Sequence, residues 1–114
     1  MKFDRFEDMI VWQKGQELAI LSYKNFFDNK DFTFKNQFLG ACISITNNIA
    51  EGFERRSNKE FKQFLFFSKG SAGEVRSMLY LAKELKYVND SGFSKLMELC
   101  ISISKMLSAL IKTL

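Results

Sequence analysis

Lys62, Lys69, Arg76 and Lys83 recur every seven residues, and Arg55 stands seven before Lys62. Seven residues is nearly two helical turns, so on one helix these cations form a single, slowly drifting stripe. Joined by Arg56 and Lys59, the stripe has the chemistry to bind phosphates or another polyanion by charge and hydrogen bonding. Residues 55–86 hold eight basic side chains against three acids, a local charge of +5 in a chain whose net charge is +4; everything else sums to −1. An ordinary solvated helix face accounts for the same charges, because phosphate binding needs only several exposed cations and no fixed motif.

Other chemistry lacks its parts. There is no histidine, so the commonest neutral-pH base and a frequent metal ligand are missing. K-G-S-A-G at 69–73 sits inside a strong helical period and lacks the strand-loop context of a phosphate loop. Four carboxylates could pair in principle, but each has a simpler part. Glu51 and Glu54 fall at a corner, Glu60 belongs to a capping box with Ser57, and Glu74 interrupts an apolar row. That row predicts a partly buried Glu74, ion-paired with Arg55 or Arg56 of the same or an adjacent chain. No catalytic residue, metal or cofactor is expected, and the chain reads as a non-enzyme. Cys42 and Cys100 lie in apolar patterns without metal spacing and read as reduced core thiols of a cytoplasmic protein. The opening M-K-F-D-R-F-E-D has acids and no apolar run of leader length. No stretch is long and apolar enough to span a membrane.

The elements that position these residues are helices. The chain has 114 residues, 46% of them hydrophobic, with thirteen phenylalanines, six glycines and no proline. This composition predicts a single all-α domain over residues 1–114 with a phenylalanine-rich core. A lead carrying Phe3 and Phe6 is expected to pack over one end. Glu7 or Asp8 would open a first helix reaching about Phe27, with Trp12 as a packing anchor and Gly15 permitting a close helix approach. D-N-K-D at 28–31 reads as a turn. A second helix covers about Phe34 to Glu51, and its apolar run is interrupted by Thr46, Asn47 and Asn48, at least one of which should meet a polar group of another helix or chain. Gly52 reads as its C-terminal cap.

The third helix is the longest. It starts at Ser57 and ends near Lys86–Tyr87. One apolar row runs Phe61, Leu65, Ala72, Val75, Leu79, Ala82; a second runs Phe64, Phe67, Met78, Leu81, Leu85 and includes Glu74. Asn89 or Asp90 caps a fourth helix to about Ile111. Short links between four helices predict an antiparallel up-down-up-down four-helix bundle.

F-E-D-M-I-V-W-Q-K-G-Q-E-L (6–18), S-I-T-N-N-I-A-E-G-F-E-R-R-S-N-K-E-F (44–61) and K-G-S-A-G-E-V-R-S-M-L-Y-L-A-K-E-L-K-Y (69–87) resemble the proteins encoded in bacterial 23S rRNA intervening sequences, also called the S23 ribosomal protein family. The block from Asn48 through Phe61 carries the most specific part. The resemblance implies an antiparallel four-helix bundle that assembles as a ring-like pentamer. It also implies kinship with the accessory protein of diversity-generating retroelements, a basic pentameric barrel that binds nucleic acid and a reverse transcriptase. The sequence departs from the family pattern twice. Gln37 is followed by Phe38, Leu39 and Gly40 where the family carries two arginines, and S-I-T-N-N replaces S-I-P-A-N.

Together these readings predict a non-enzymatic, bacterial, cytoplasmic homo-oligomer that binds RNA or DNA non-specifically through Arg55, Arg56, Lys59, Lys62, Lys69, Arg76 and Lys83. Asn48, Glu51, Ser57, Glu60 and Glu74 are its structural polar residues. The competing reading is an adaptor oligomer that recruits a protein partner and has no nucleic-acid role.

Overall fold

The computed structural model describes residues 3–114. A 3-10 turn at Phe6–Asp8 leads into four helices: α1 (Ile10–Phe26), α2 (Phe32–Phe53), α3 (Asn58–Glu84) and α4 (Asp90–Lys112). Each helix packs on the next and α4 closes against α1, giving an up-down four-helix bundle. The 27-residue α3 is about 40 Å long at 1.5 Å per residue, which accounts for the long axis of a molecule measuring 42 × 22 × 20 Å.

Side-chain caps set three of the helix starts. Asp31 accepts from the Phe34 amide, Ser57 from the Glu60 amide and Asn89 from the Gly92 amide, each satisfying a donor the first turn leaves free. Of the two bonds in a capping box, the structure has the one made by the Ser57 hydroxyl; Glu60 adds negative charge to the first turn. Glu7 and Asp8 do not open α1: they lie in the 3-10 turn, and α1 starts after Met9 without a side-chain cap. Gly52 does not end α2 either. It is buried inside the helix, and a Cβ there would lie 2.6 Å from Phe64 Cβ. Its role is to let α2 and α3 meet closely at the corner. Gly15 does the same for α1 and α2, where an added Cβ would be 2.6 Å from Thr46 Cγ2.

The core is aliphatic in the middle and aromatic at the ends. Leu18, Ile45, Ile49, Leu65, Val75, Leu79, Leu96, Ile103 and Leu107 are fully buried. At one end Phe26, Phe34 and Phe38 form a nest with centroid separations of 4.8–5.5 Å, which Tyr87 joins edge-on. At the other, Phe6 packs against Trp12 and Phe53, as expected of the lead segment. Of the thirteen phenylalanines, Phe26, Phe34 and Phe38 are buried and Phe3, Phe6, Phe53, Phe61 and Phe93 pack partly buried against the core, while Phe27, Phe32, Phe66 and Phe67 are exposed. The first apolar row of α3 is the buried one; the second lies on its α2 flank and leaves Phe67, Leu81 and Leu85 about half exposed. Nothing in a four-helix ring covers that flank.

Among the described residues, every buried side-chain nitrogen and oxygen finds a hydrogen-bond partner. Ser68 donates to the Ile45 carbonyl, and Cys100 Sγ to the Ala72 carbonyl. Asn48 donates to the carbonyl and hydroxyl of Ser44, whose oxygen also accepts from Ser71 on α3. The asparagine thus meets another helix through a serine relay. Thr46 instead bonds within α2, to the Ile43 carbonyl.

Candidate nucleic-acid interface

The heptad drift of the α3 stripe is about −20° per seven residues, so its later members lean toward α4. Lys83 shows the result: its ammonium sits 4.6 Å from the centroid of the Phe93 ring, at the start of α4. Lys69 and Arg76 line an open cleft between α3 and α4 of about 560 Å³. Across that cleft α4 contributes Lys105 and Lys112 together with the hydroxyls of Ser104 and Ser108. No carboxylate lines it. Among the described residues none of these four cations is within ion-pair distance of an acid, the pairs being Arg5–Glu7, Arg5–Asp8, Lys14–Glu17 and Arg55–Glu51. Four like charges around one groove repel one another, and a polyanion relieves that repulsion.

The other predicted cations lie elsewhere. Arg55 belongs to the α2–α3 corner, where it donates to Glu51 at 2.6 Å and lies 4.7 Å from the Phe64 ring centroid. Phe64 is on the α2 flank of α3, so Arg55 leaves the stripe that its spacing suggested. Arg56 lies beside Leu110 and Leu114 at the end of the bundle. Lys59 is exposed in the first turn of α3, and Lys62 is half-buried two turns before Lys69. The structure therefore brings together Lys69 and Arg76, sets Lys83 farther along α3, and separates Arg55 and Arg56 from them.

Lys105 and Lys112 were missed, though the signal was present. They repeat on α4 the seven-residue interval that marks α3. Glu74 corrects the sequence reading in the other direction. It is exposed and has no ion-pair partner among the described residues, so it is not a core group and, within the chain, does not pair with Arg55, which Glu51 holds instead. Glu74 sits on the same flank as Phe67, Met78 and Leu81, an apolar row left facing outward.

No group of three or more histidine, cysteine, aspartate or glutamate side chains among the described residues is placed to hold a metal. Cys42 and Cys100 are free and fully buried. Burial pushes their thiols up, to about 12 for Cys42 and about 11 for Cys100. Both are poor nucleophiles in that state. None of the described helices is long and apolar enough to cross a membrane.

No curated protein matches the chain. Among solved structures, a protein of unknown function from the S23 ribosomal protein family of Bacteroides thetaiotaomicron is similar at 26% identity and a TM-score of 0.83, over 90% of this chain and 98% of that one. The same bundle and the same helix order thus extend over nearly the whole of both molecules. The sequence model described as 23S rRNA-intervening sequence protein matches residues 7–109, which include all four helices up to the last turn of α4, and the chain belongs to that family.

Proposed function

We propose that the protein is a non-enzymatic homo-oligomer whose α3/α4 grooves bind the sugar-phosphate backbone of RNA or DNA without sequence preference. The observation that carries this reading is the acid-free cleft ringed by Lys69, Arg76, Lys105 and Lys112. Flexible lysines and an arginine flanked by serine hydroxyls suit phosphate oxygens, which accept hydrogen bonds at any base sequence. Assembly is supported by two separate apolar surfaces on the flanks of α2. One is the α3 row of Phe67, Leu81 and Leu85; the other is a cleft between α1 and α2 containing Tyr23, Phe27, Leu39 and Ile43. Two different patches on one chain suit a head-to-tail contact, which closes into a ring when the rotation allows. Glu74 in one patch and Lys35 in the other are complementary in charge. Five copies, the number implied by the family resemblance, would carry about +20 from a chain of +4.

Titration of labelled RNA and duplex DNA at low and physiological salt tests the groove. Affinity is expected to fall steeply with salt, because each neutralised phosphate releases counterions. The triple variant Lys69→Gln, Lys105→Gln, Lys112→Gln removes three charges from good helix formers and should bind weakly with a shallower salt slope. Wild-type protein that binds neither polymer at low salt, or a triple variant that binds like wild type, would defeat the reading. Selective capture of an acidic protein without nucleic-acid affinity would favour the adaptor reading.

A further inference from the structure

We infer that the α3/α4 groove is built for single-stranded nucleic acid, with Tyr80 as the platform on which a base stacks. The inference rests on the polyanion reading of the same groove and adds a residue to it. Tyr80 is 58% exposed. It lies one turn after Arg76 and three residues before Lys83, so it shares their face of α3. Its ring is held against Phe93 of α4, with centroids 5.7 Å apart and planes inclined by 57°, and Phe93 in turn carries the Lys83 ammonium. The exposed ring is therefore propped from the α4 side and flanked by cations, at the end of a row that begins in the cleft with Lys69.

This arrangement has little value within the chain. An exposed aromatic contributes little to the core, and the Tyr80 hydroxyl takes no part in the hydrogen bonds that join the helices. Outside the chain it matches what a single strand offers. The bases of a duplex are already paired and stacked, so a surface ring meets only their edges or the backbone. A single strand presents free base faces, and an aromatic beside a cationic track takes them up whatever the sequence. The surface between Lys69 and Arg76 is consistent with close approach by such a strand. Gly73 stands there, one turn after Lys69 and three residues before Arg76, and a Cβ on it would meet nothing within 4 Å. No packing inside the chain requires it, and it disfavours the helix relative to alanine.

Fluorescence anisotropy with labelled twenty-nucleotide oligo(dT), oligo(U) and a mixed-sequence duplex tests the inference. Wild-type protein should bind both single strands more tightly than the duplex at equal salt. Tyr80→Ala should weaken single-strand binding at least about five-fold, the loss of one stacked base. It should leave duplex binding and the salt slope nearly unchanged, whereas Tyr80→Phe should retain single-strand binding. Alanine favours a helix at this exposed position, and circular dichroism with light scattering checks that fold and mass are kept. Equal losses on single strand and duplex, no loss on either, or a fall in mass in Tyr80→Ala would overturn the inference. If the triple lysine variant loses binding while Tyr80→Ala binds like wild type, the polyanion reading stands and the stacking platform falls. If the wild type binds no probe at low salt, both fall.

Discussion

Lys86 holds a backbone conformation that usually goes to glycine. Its φ is +61°, and around it the Tyr87 amide reaches back to the Ala82 carbonyl and the Lys86 amide to the Lys83 carbonyl. These are the two bonds of a Schellman end. A side chain with a Cβ pays about 1–2 kcal/mol in this region, so Lys86→Gly is expected to raise stability by about 1 kcal/mol, read as a higher urea midpoint at unchanged slope. The next residue makes a longer connection. Tyr87 donates its hydroxyl to Asp31 at 2.7 Å, tying the α3–α4 link to the cap of α2. That bond, with the Phe34 amide, holds the Asp31 carboxyl below its ordinary value, and the same carboxylate holds the Tyr87 phenol above its own. The Asp31 contribution to stability is present above about pH 4 and lost as pH falls through the lowered folded value. The Tyr87 contribution is present below about pH 10 and lost as pH rises through the raised one. Tyr87→Phe should therefore lie furthest below wild type in unfolding midpoint between those limits, and the gap should close at either extreme. A gap that is the same at pH 3 and pH 7 would exclude this linkage.

Between helices, spacing is set by a few small residues. With Thr46 Cγ2 only 2.6 Å from where a Gly15 Cβ would stand, Gly15→Ala should overpack the α1/α2 contact and cost about 1–3 kcal/mol. Thr46→Ser removes that methyl group, so in the double variant the two effects should fall short of their sum; strict additivity would show that the contact is not where the strain arises. Much of this architecture was legible in the sequence. The 3.6-residue period in Phe61, Leu65, Ala72, Val75, Leu79 and Ala82 located the buried face of α3, and Ser57 and Asn89 marked two helix starts by their own hydrogen-bonding chemistry. Gly52 misled because a glycine before a corner usually signals a chain reversal. What distinguishes it is its contact with Phe61 and Phe64 on the next helix, and local sequence carries no trace of that approach. Periodicity gave the width of the apolar face of α3 but not its partner, which is why Glu74 read as half-buried. It lies on the part of that face that no helix of this bundle reaches.

At the scale of the whole molecule, one cluster of charge and two apolar patches occupy different sides of the bundle. Lys69, Arg76, Lys105 and Lys112 gather where α3 meets α4, and the patches of Phe67, Leu81 and Leu85 and of Tyr23, Phe27 and Ile43 flank α2. One side of the groove is legible as the heptad row on α3; Lys105 and Lys112 repeat that interval on α4, and only the packing of α4 on α3 shows that the two pairs line one groove. If the α3 row is a contact between copies, Leu81→Glu should lower the mass seen by light scattering at micromolar concentration while circular dichroism stays helical. A wild type of single-chain mass would remove the premise of assembly. The two buried thiols give the bundle a further property. Cys42 faces Ser22 across the α1/α2 seam, and Cys100 faces Ala72 across the α3/α4 seam. A thiol reagent needs an accessible thiolate, and the closed bundle supplies neither the access nor the charge. The pace of labelling is therefore a clock for opening, with one hand in each half of the molecule. Equal rates at Cys42 and Cys100 would mean that the four helices come apart as one cooperative unit, and unequal rates would show which pair of helices parts first.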